Sequence, residues 1–185
     1  MSFQGMNKIW IAADRSSYIE HDPATGSVNV VNNGVTAMTL DSSGRLGTRR
    51  QIVDDAASVQ LTAAQSGALC VFNLDGADFL LPPAEAGLTF DFVITASGSS
   101  AGYRVACASG DFILGSIFLD DSDSGLATTA QAFNGTTHLA IDINGATDGW
   151  LAGGFFNLTA ISATQWVISG HLLHTGNVAS PAATS

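Results

Sequence analysis

The chain is expected to be all-β: a β-sandwich or jelly-roll-like domain preceded by an N-terminal arm of short strands. Three observations point there. Short apolar runs recur at spacings of roughly 8–12 residues, bounded by glycine, proline, asparagine or aspartate, as the strands of a sandwich are. Several runs alternate apolar with polar residues, the period of a strand with one face in a core. Nowhere do apolar residues hold a 3.6-residue period for long, which argues against a helical bundle and against a coiled-coil shaft.

Taken in order, residues 1–50 read as an arm of short strands: Lys8–Ala12, Tyr18–His21, Ser27–Val31 and Val35–Leu40. Asn32-Asn33-Gly34 between the last two is a strong hairpin signal, because asparagine and glycine tolerate the positive φ of a tight turn. Asp41 to Gly47 then opens a loop. An arm this poor in large apolar groups is expected to complete its burial against the main domain, sister subunits or a partner. Residues 51–60 form a linker, residues 61–178 the main domain, and residues 179–185 a polar tail.

The main domain opens at Leu61-Thr62-Ala63-Ala64-Gln65, where Thr62 and Gln65 have the spacing of a capping box around one helical turn. Ala68–Phe72 is a run apolar on both faces, entering an Asn73–Gly76 turn. Phe79–Leu81 stops at Pro82-Pro83, since proline has no N–H for a ladder. Leu88–Ile94 alternates, with Phe90 and Phe92 on the apolar side. Tyr103–Cys107 follows, then Phe112–Leu114 and Ile117–Leu119 flanking Gly115-Ser116, and a polar loop from Asp120 to about Asn134-Gly135. Thr137–Ile143, Gly149–Phe156 and Gln165–Gly170 supply the remaining strands.

Composition agrees with a folded chain. Of 185 residues, 46% are hydrophobic and only 12% are charged, a profile unlike that of disorder. So low a charged fraction predicts a surface rich in neutral residues or covered by neighbouring subunits. The net charge of −10 is unevenly spread. Residues 1–50 hold five basic and four acidic residues, whereas residues 51–185 hold Arg104 against twelve acids. An acidic body repels nucleic acid, so no nucleic-acid partner is expected. A slightly basic arm suits an acidic protein surface, and Lys8, Trp10, Arg15, Arg45, Arg49 and Arg50 are its docking candidates. The plainer alternative is that Arg45, Arg49 and Arg50 solvate a linker.

The order LTAAQSG (61–67), LPPAEAGLTFDFVI (81–94), GYRV (102–105), GDFILG (110–115) and WVISGH (166–171) resembles a β-module of tailed-bacteriophage virion proteins, found in capsid decoration (cement) proteins and tail-fibre components. The segment MTLDSSGRLGT (38–48) is similar to one recurring in tail-fibre proteins. The resemblance implies a sandwich or jelly-roll-like virion protein, usually a homotrimer, whose partner is the major capsid protein of a tailed phage. It implies no active site.

Candidate chemistry is sparse. Asp120, Asp121 and Asp123 begin like a calcium loop, yet the glycine falls at 125 and the closing glutamate is missing. A solvated acidic loop is the simpler reading, with weak calcium binding as the alternative and no metal or cofactor expected. His138, His171 and His174 sit in strand contexts that favour packing over acid–base work. Phe90, Phe92, Trp150, Phe156 and Trp166 are expected to anchor the core or a trimer interface; a sugar-binding aromatic face is the competing possibility for Trp150, Phe155, Phe156 and Trp166. Cys70 and Cys107 lie in apolar runs and are expected to stay unoxidised. With the exception of Glu85 the acids of the body are aspartates in or beside turns and strands, so a glycosidase-like acid pair is not legible.

No leader-like apolar segment and no membrane-length run occur, so no membrane partner is expected and synthesis in a host cytoplasm is. The expected function is therefore non-enzymatic: a trimeric decoration protein on the outer capsid surface of the virion. The alternative is a tail-fibre or tail-tip component that binds a host receptor or glycan.

Overall fold

The computed structural model describes residues 8–11, 13, 15–48, 50–98, 101–122, 128–144, 149–175 and 180–184. It is built of strands in three sheets and divides into two compact units, residues 1–50 and 51–185. No helix among the described residues is long and apolar enough to cross a membrane.

The first unit is a single antiparallel sheet in sequence order: β1 (Lys8–Trp10), β2 (Tyr18–Asp22), β3 (Ser27–Asn32), β4 (Val35–Leu40) and β5 (Leu46–Thr48). The β3–β4 hairpin turns through Asn33 and Gly34, at φ 48° and 76°, the left-handed pair that the Asn-Gly signal predicts. The 41–47 stretch is not simply a loop. Asp41 Oδ1 accepts from the backbone N–H groups of Ser43 and Arg45, each at 2.8 Å, which tightens the turn and returns Leu46–Thr48 to the sheet as β5.

The second unit packs a seven-stranded and a five-stranded sheet over one core, a sandwich-like arrangement. Its strands are β6 (Ile52–Asp54), β7 (Val59–Gln60), β8 (Leu69–Phe72), β9 (Ala77–Leu80), β10 (Thr89–Ile94), β11 (Tyr103–Ala106), β12 (Phe112–Asp121), β13 (Thr129–Asn134), β14 (Ala140–Ile143), β15 (Phe155–Ala160), β16 (Gln165–His174) and β17 (Ala182–Ala183). The orders are β13-β12-β16-β15-β10-β8-β6 and β17-β14-β11-β9-β7. The first half winds between the sheets: β6, β8 and β10 pair in parallel in one while β7, β9 and β11 pair in parallel in the other. Each turn after a strand therefore arches across the core instead of closing a hairpin. A 3₁₀ turn, Ala63–Gln65, precedes β8, and the Thr62 N–H donates to Gln65 Oε1 at 2.9 Å as the capping-box spacing predicts.

The core is aromatic at its centre. Phe72, Phe79, Phe90, Phe92, Tyr103, Phe156 and Trp166 are all essentially inaccessible. Rings from the two sheets interlock, with Phe72–Phe79 centroids 5.0 Å apart and Phe72–Tyr103 4.8 Å, while Phe92 stacks on Phe156 of the neighbouring strand at 4.9 Å. Burial alternates along β10, where Phe90, Phe92 and Ile94 point inward, and along β8, where Cys70 and Phe72 do. The expectation that Ala68–Phe72 is buried on both faces is thus corrected: Leu69 and Val71 are only half covered.

Three further assignments change. Residues 51–60 are not a free linker, because β6 and β7 are the first strands of the parallel ladders and Val53 and Val59 pack on the core. The described residues of the polar loop expected from Asp120 to Gly135 are mostly strand: β12 continues through Asp121, and β13 lies antiparallel to it. The 179–185 tail is docked by β17, which lies antiparallel to β14 with Ala183 opposite Ala140 and Ala182 opposite Ile141. The Leu139 N–H donates to the Ala183 carbonyl and the Asp142 N–H to that of Pro181, both at 2.8 Å.

Candidate interaction surfaces

The first unit has two unlike faces, set by register. Lys8, Trp10, Tyr18, Glu20, Asp22 and Asn29 share one. There Lys8 Nζ lies 3.0 Å from Glu20 Oε2 and 4.2 Å from the Tyr18 ring centroid, Trp10 meets Tyr18 edge-on at 4.9 Å, and the Arg15 guanidinium lies 5.9 Å from the Trp10 ring. Hydrogen bonding to Glu20 raises the Lys8 pKa above the usual lysine range. This face gathers three of the predicted docking residues, Lys8, Trp10 and Arg15, into one cation–aromatic group. Arg45 is exposed on the β4–β5 turn, Arg50 is exposed beyond β5, and Arg49 lies outside the described residues. The opposite face carries Ile9, Ile19, Val28, Val30, Met38, Leu40 and Leu46, with His21 as the titratable group among its described strand residues.

The second unit presents the outer face of its seven-stranded sheet. One cross-strand row runs Phe118–His171–Phe155–Val93–Val71. Phe118 and Phe155 are each about half exposed, and the Phe155 and His171 rings meet edge-on at 4.3 Å. The neighbouring rows are polar near β15: Asn157 Nδ2 donates to Asp91 Oδ1 at 2.5 Å and to Thr89 Oγ1 at 3.0 Å, and Thr159 Oγ1 donates to Asn157 Oδ1 at 2.8 Å. An aromatic row beside a satisfied polar ladder suits a protein partner, since ring area supplies burial while the ladder leaves its polar groups already bonded. Phe118 does not stand out in the sequence, and Phe155 does so only as part of a possible sugar-stacking group. The adjacent pair Phe155-Phe156 held the signal, because neighbouring strand residues face opposite ways.

The predicted anchors are core residues. Phe90, Phe92, Phe156 and Trp166 are 0–1% exposed, and Trp150 is half-buried against the same core. With Phe156 and Trp166 inside, the four-aromatic sugar face does not form. Asp120 and Asp121 end β12, and Asp123 lies outside the described residues. Among the described residues no group of three or more His, Cys, Asp or Glu is placed to hold a metal ion. His138 Nδ1 accepts the Asn134 N–H at 3.0 Å beside the Phe133 ring, and His174 is fully buried. Cys70 and Cys107 are not joined in a disulfide; burial first, and Asp111 second, push the Cys107 thiol up to about 12, so it is a poor nucleophile near neutrality.

Several acids of the body have a structural task. Asp55 Oδ2 accepts the N–H groups of Asn73 and Leu74 at 2.7 and 2.8 Å, so the first arch caps the second. Asp75 repeats this one layer on, its carboxylate taking the N–H groups of Gly102 at 3.0 Å and Ala101 at 3.3 Å. Buried Asp111 accepts the Ala84 N–H at 2.8 Å and ties down the segment after Pro82-Pro83. An arch leaves N–H groups without ladder partners, and a short carboxylate reaching back from the previous layer satisfies them. Asp55→Ala is expected to cost about 1–2 kcal/mol of body stability, read as a lower urea midpoint at unchanged slope.

No protein-family model matches the chain, and neither a curated protein nor a solved structure matches it.

Proposed function

We propose that the protein is a non-enzymatic virion structural protein: a homotrimeric decoration protein that binds the outside of a tailed-phage capsid and stabilises it. The observation that carries this reading is where exposed apolar and aromatic groups fall. Most lie on strands and share sheet faces, with Phe118, His171 and Phe155 on one and Trp10 and Tyr18 beside Lys8 and Arg15 on another. Broad faces serve assembly, where many weak contacts repeated over a lattice add up. Asp55, Asp75 and Asp111 bind backbone, which gives those carboxylates a structural role. In this reading the aromatic row of the seven-stranded sheet meets sister subunits, and the Lys8–Trp10–Arg15 face meets an acidic surface of the shell.

Bridging capsid subunits stabilises the shell by mass action, because the bound protein favours the assembled state. The test mixes purified protein with capsids stripped of decoration. Stoichiometric co-sedimentation and raised heat resistance are expected, both weakened by Arg15→Glu. Saturable adsorption to host cells or glycans without capsid binding would transfer the protein to the tail, as a fibre or tip component.

A further inference from the structure

The geometry points to self-association through the apolar face of the N-terminal sheet: we infer that Ile9, Val28, Val30, Met38, Leu40 and Leu46 are covered by the same face of sister copies of this chain. The inference rests on the self-assembly part of the proposed function and is independent of its capsid part.

Register places these side chains on one side of five adjacent strands. Ile9 and Leu46 are 63% exposed, Val28 39%, Met38 38% and Leu40 43%, so a continuous apolar face lies open across the whole sheet. Isolated exposed hydrophobics are ordinary, but a contiguous face of this kind marks an interaction site.

Two arguments select a sister copy as the occupant. The first is charge. Residues 51–185 hold Arg104 against twelve acids, so contacts between the bodies of two copies set like charges together. On this face no Asp, Glu, Lys or Arg occurs among the described strand residues, and the ionic groups Lys8, Glu20 and Asp22 lie on the other. It is a surface on which copies meet without that repulsion. The second is area. Its strands hold three, five, six, six and three residues, so at about 3.3 Å per residue and 4.8 Å per strand the face covers roughly 360 Å². Two such faces bury about 700 Å², a weak contact that repetition over several copies strengthens. A single-layer sheet gains from them the second layer that its own strands do not provide. Covering this face leaves the Lys8–Trp10–Arg15 face outward, free for a different partner.

The test uses the full chain. The wild-type protein is expected to be oligomeric by sedimentation equilibrium, and Met38→Glu to weaken association at least tenfold. Thr39→Glu, one residue along the strand on the other face, is expected to leave it unchanged. A second pair guards against simple misfolding of the charged variant: under mild oxidation Val28→Cys is expected to give disulfide-linked copies, and Thr39→Cys none. A wild type that is monomeric throughout would overturn both this inference and the trimer. An oligomer whose mass is insensitive to Met38→Glu, or in which Val28→Cys does not link, would overturn the inference alone and leave the row of Phe118 and Phe155 as the interface between copies.

Discussion

Phe92→Ala is expected to destabilise the body by about 3–5 kcal/mol, the usual cost of removing a buried phenyl ring from a core that cannot collapse around the void. Phe92 is 0% exposed on β10, an interior strand of the seven-stranded sheet. Its ring stacks on Phe156 at 4.9 Å and 13°, meets Phe79 of the opposite sheet at 5.7 Å and Phe72 at 6.1 Å. The hole would thus open where the sheets meet, lined by three other rings held by their own strands. Set against the roughly 5–15 kcal/mol of a whole domain, that loss is a large fraction. Phe155→Ala makes the matched control. It sits next to Phe156 but is 51% exposed, so body stability is expected to move by no more than about 0.5 kcal/mol. Urea unfolding followed by tryptophan fluorescence reads both, because Trp166 is buried in this core, 5.9 Å from the Phe90 ring. A loss below about 1 kcal/mol for Phe92→Ala would mean the core is far more plastic than interlocked rings allow.

What was legible in the sequence follows from which interactions are local. The Asn33-Gly34 hairpin and the Thr62–Gln65 turn are set by residues within a few positions of each other, and both form. The inward set of β10 is readable from period alone, and Phe90 and Phe92 are buried. The strands that were missed are those stabilised from a distance. β13 reads TAQAFN, mostly exposed, and is held by the ladder to β12; β17 is two alanines held by β14. β6 and β7 are short and flanked by polar residues, and become strands because β8 and β9 offer them parallel edges. Asn73–Gly76 looks the same in sequence whether it closes a hairpin or arches between sheets; the difference lies in Asp55, eighteen or more residues upstream, bonding its N–H groups. The surfaces were half legible for the same reason. The alternation of Val28, Val30, Met38 and Leu40 shows in the sequence, but that they fall on one face of a five-stranded sheet depends on pairing.

Gly170→Ala is expected to be as damaging as the core truncation, by a different route. Gly170 lies within the ten-residue strand β16, where the β12–β16 ladder skips two positions between the Gly115–Ile168 and Phe118–His171 pairs at unchanged register. Its φ is 147°, open to glycine and strained for any L side chain. A methyl there would stand 2.5 Å from the Phe155 carbonyl oxygen and 2.5 Å from Phe156 Cα, both backbone atoms of β15 that cannot swing aside as a side chain would. Strain of about 1–3 kcal/mol and overpacking of about 1–3 kcal/mol act together, for a loss of roughly 2–6 kcal/mol. The glycine is what lets β15 and β16 approach while Phe156 turns in and Phe155 turns out. Its replacement therefore couples stability to the outer row: the Phe155–His171 contact at 4.3 Å is expected to be lost along with the urea midpoint, whereas Gly67→Ala, with φ 86° but open space around it, bears the strain without the clash and is expected to cost about half as much or less. Equal losses at the two positions would show that backbone strain alone decides the outcome and that the close approach to β15 is unimportant.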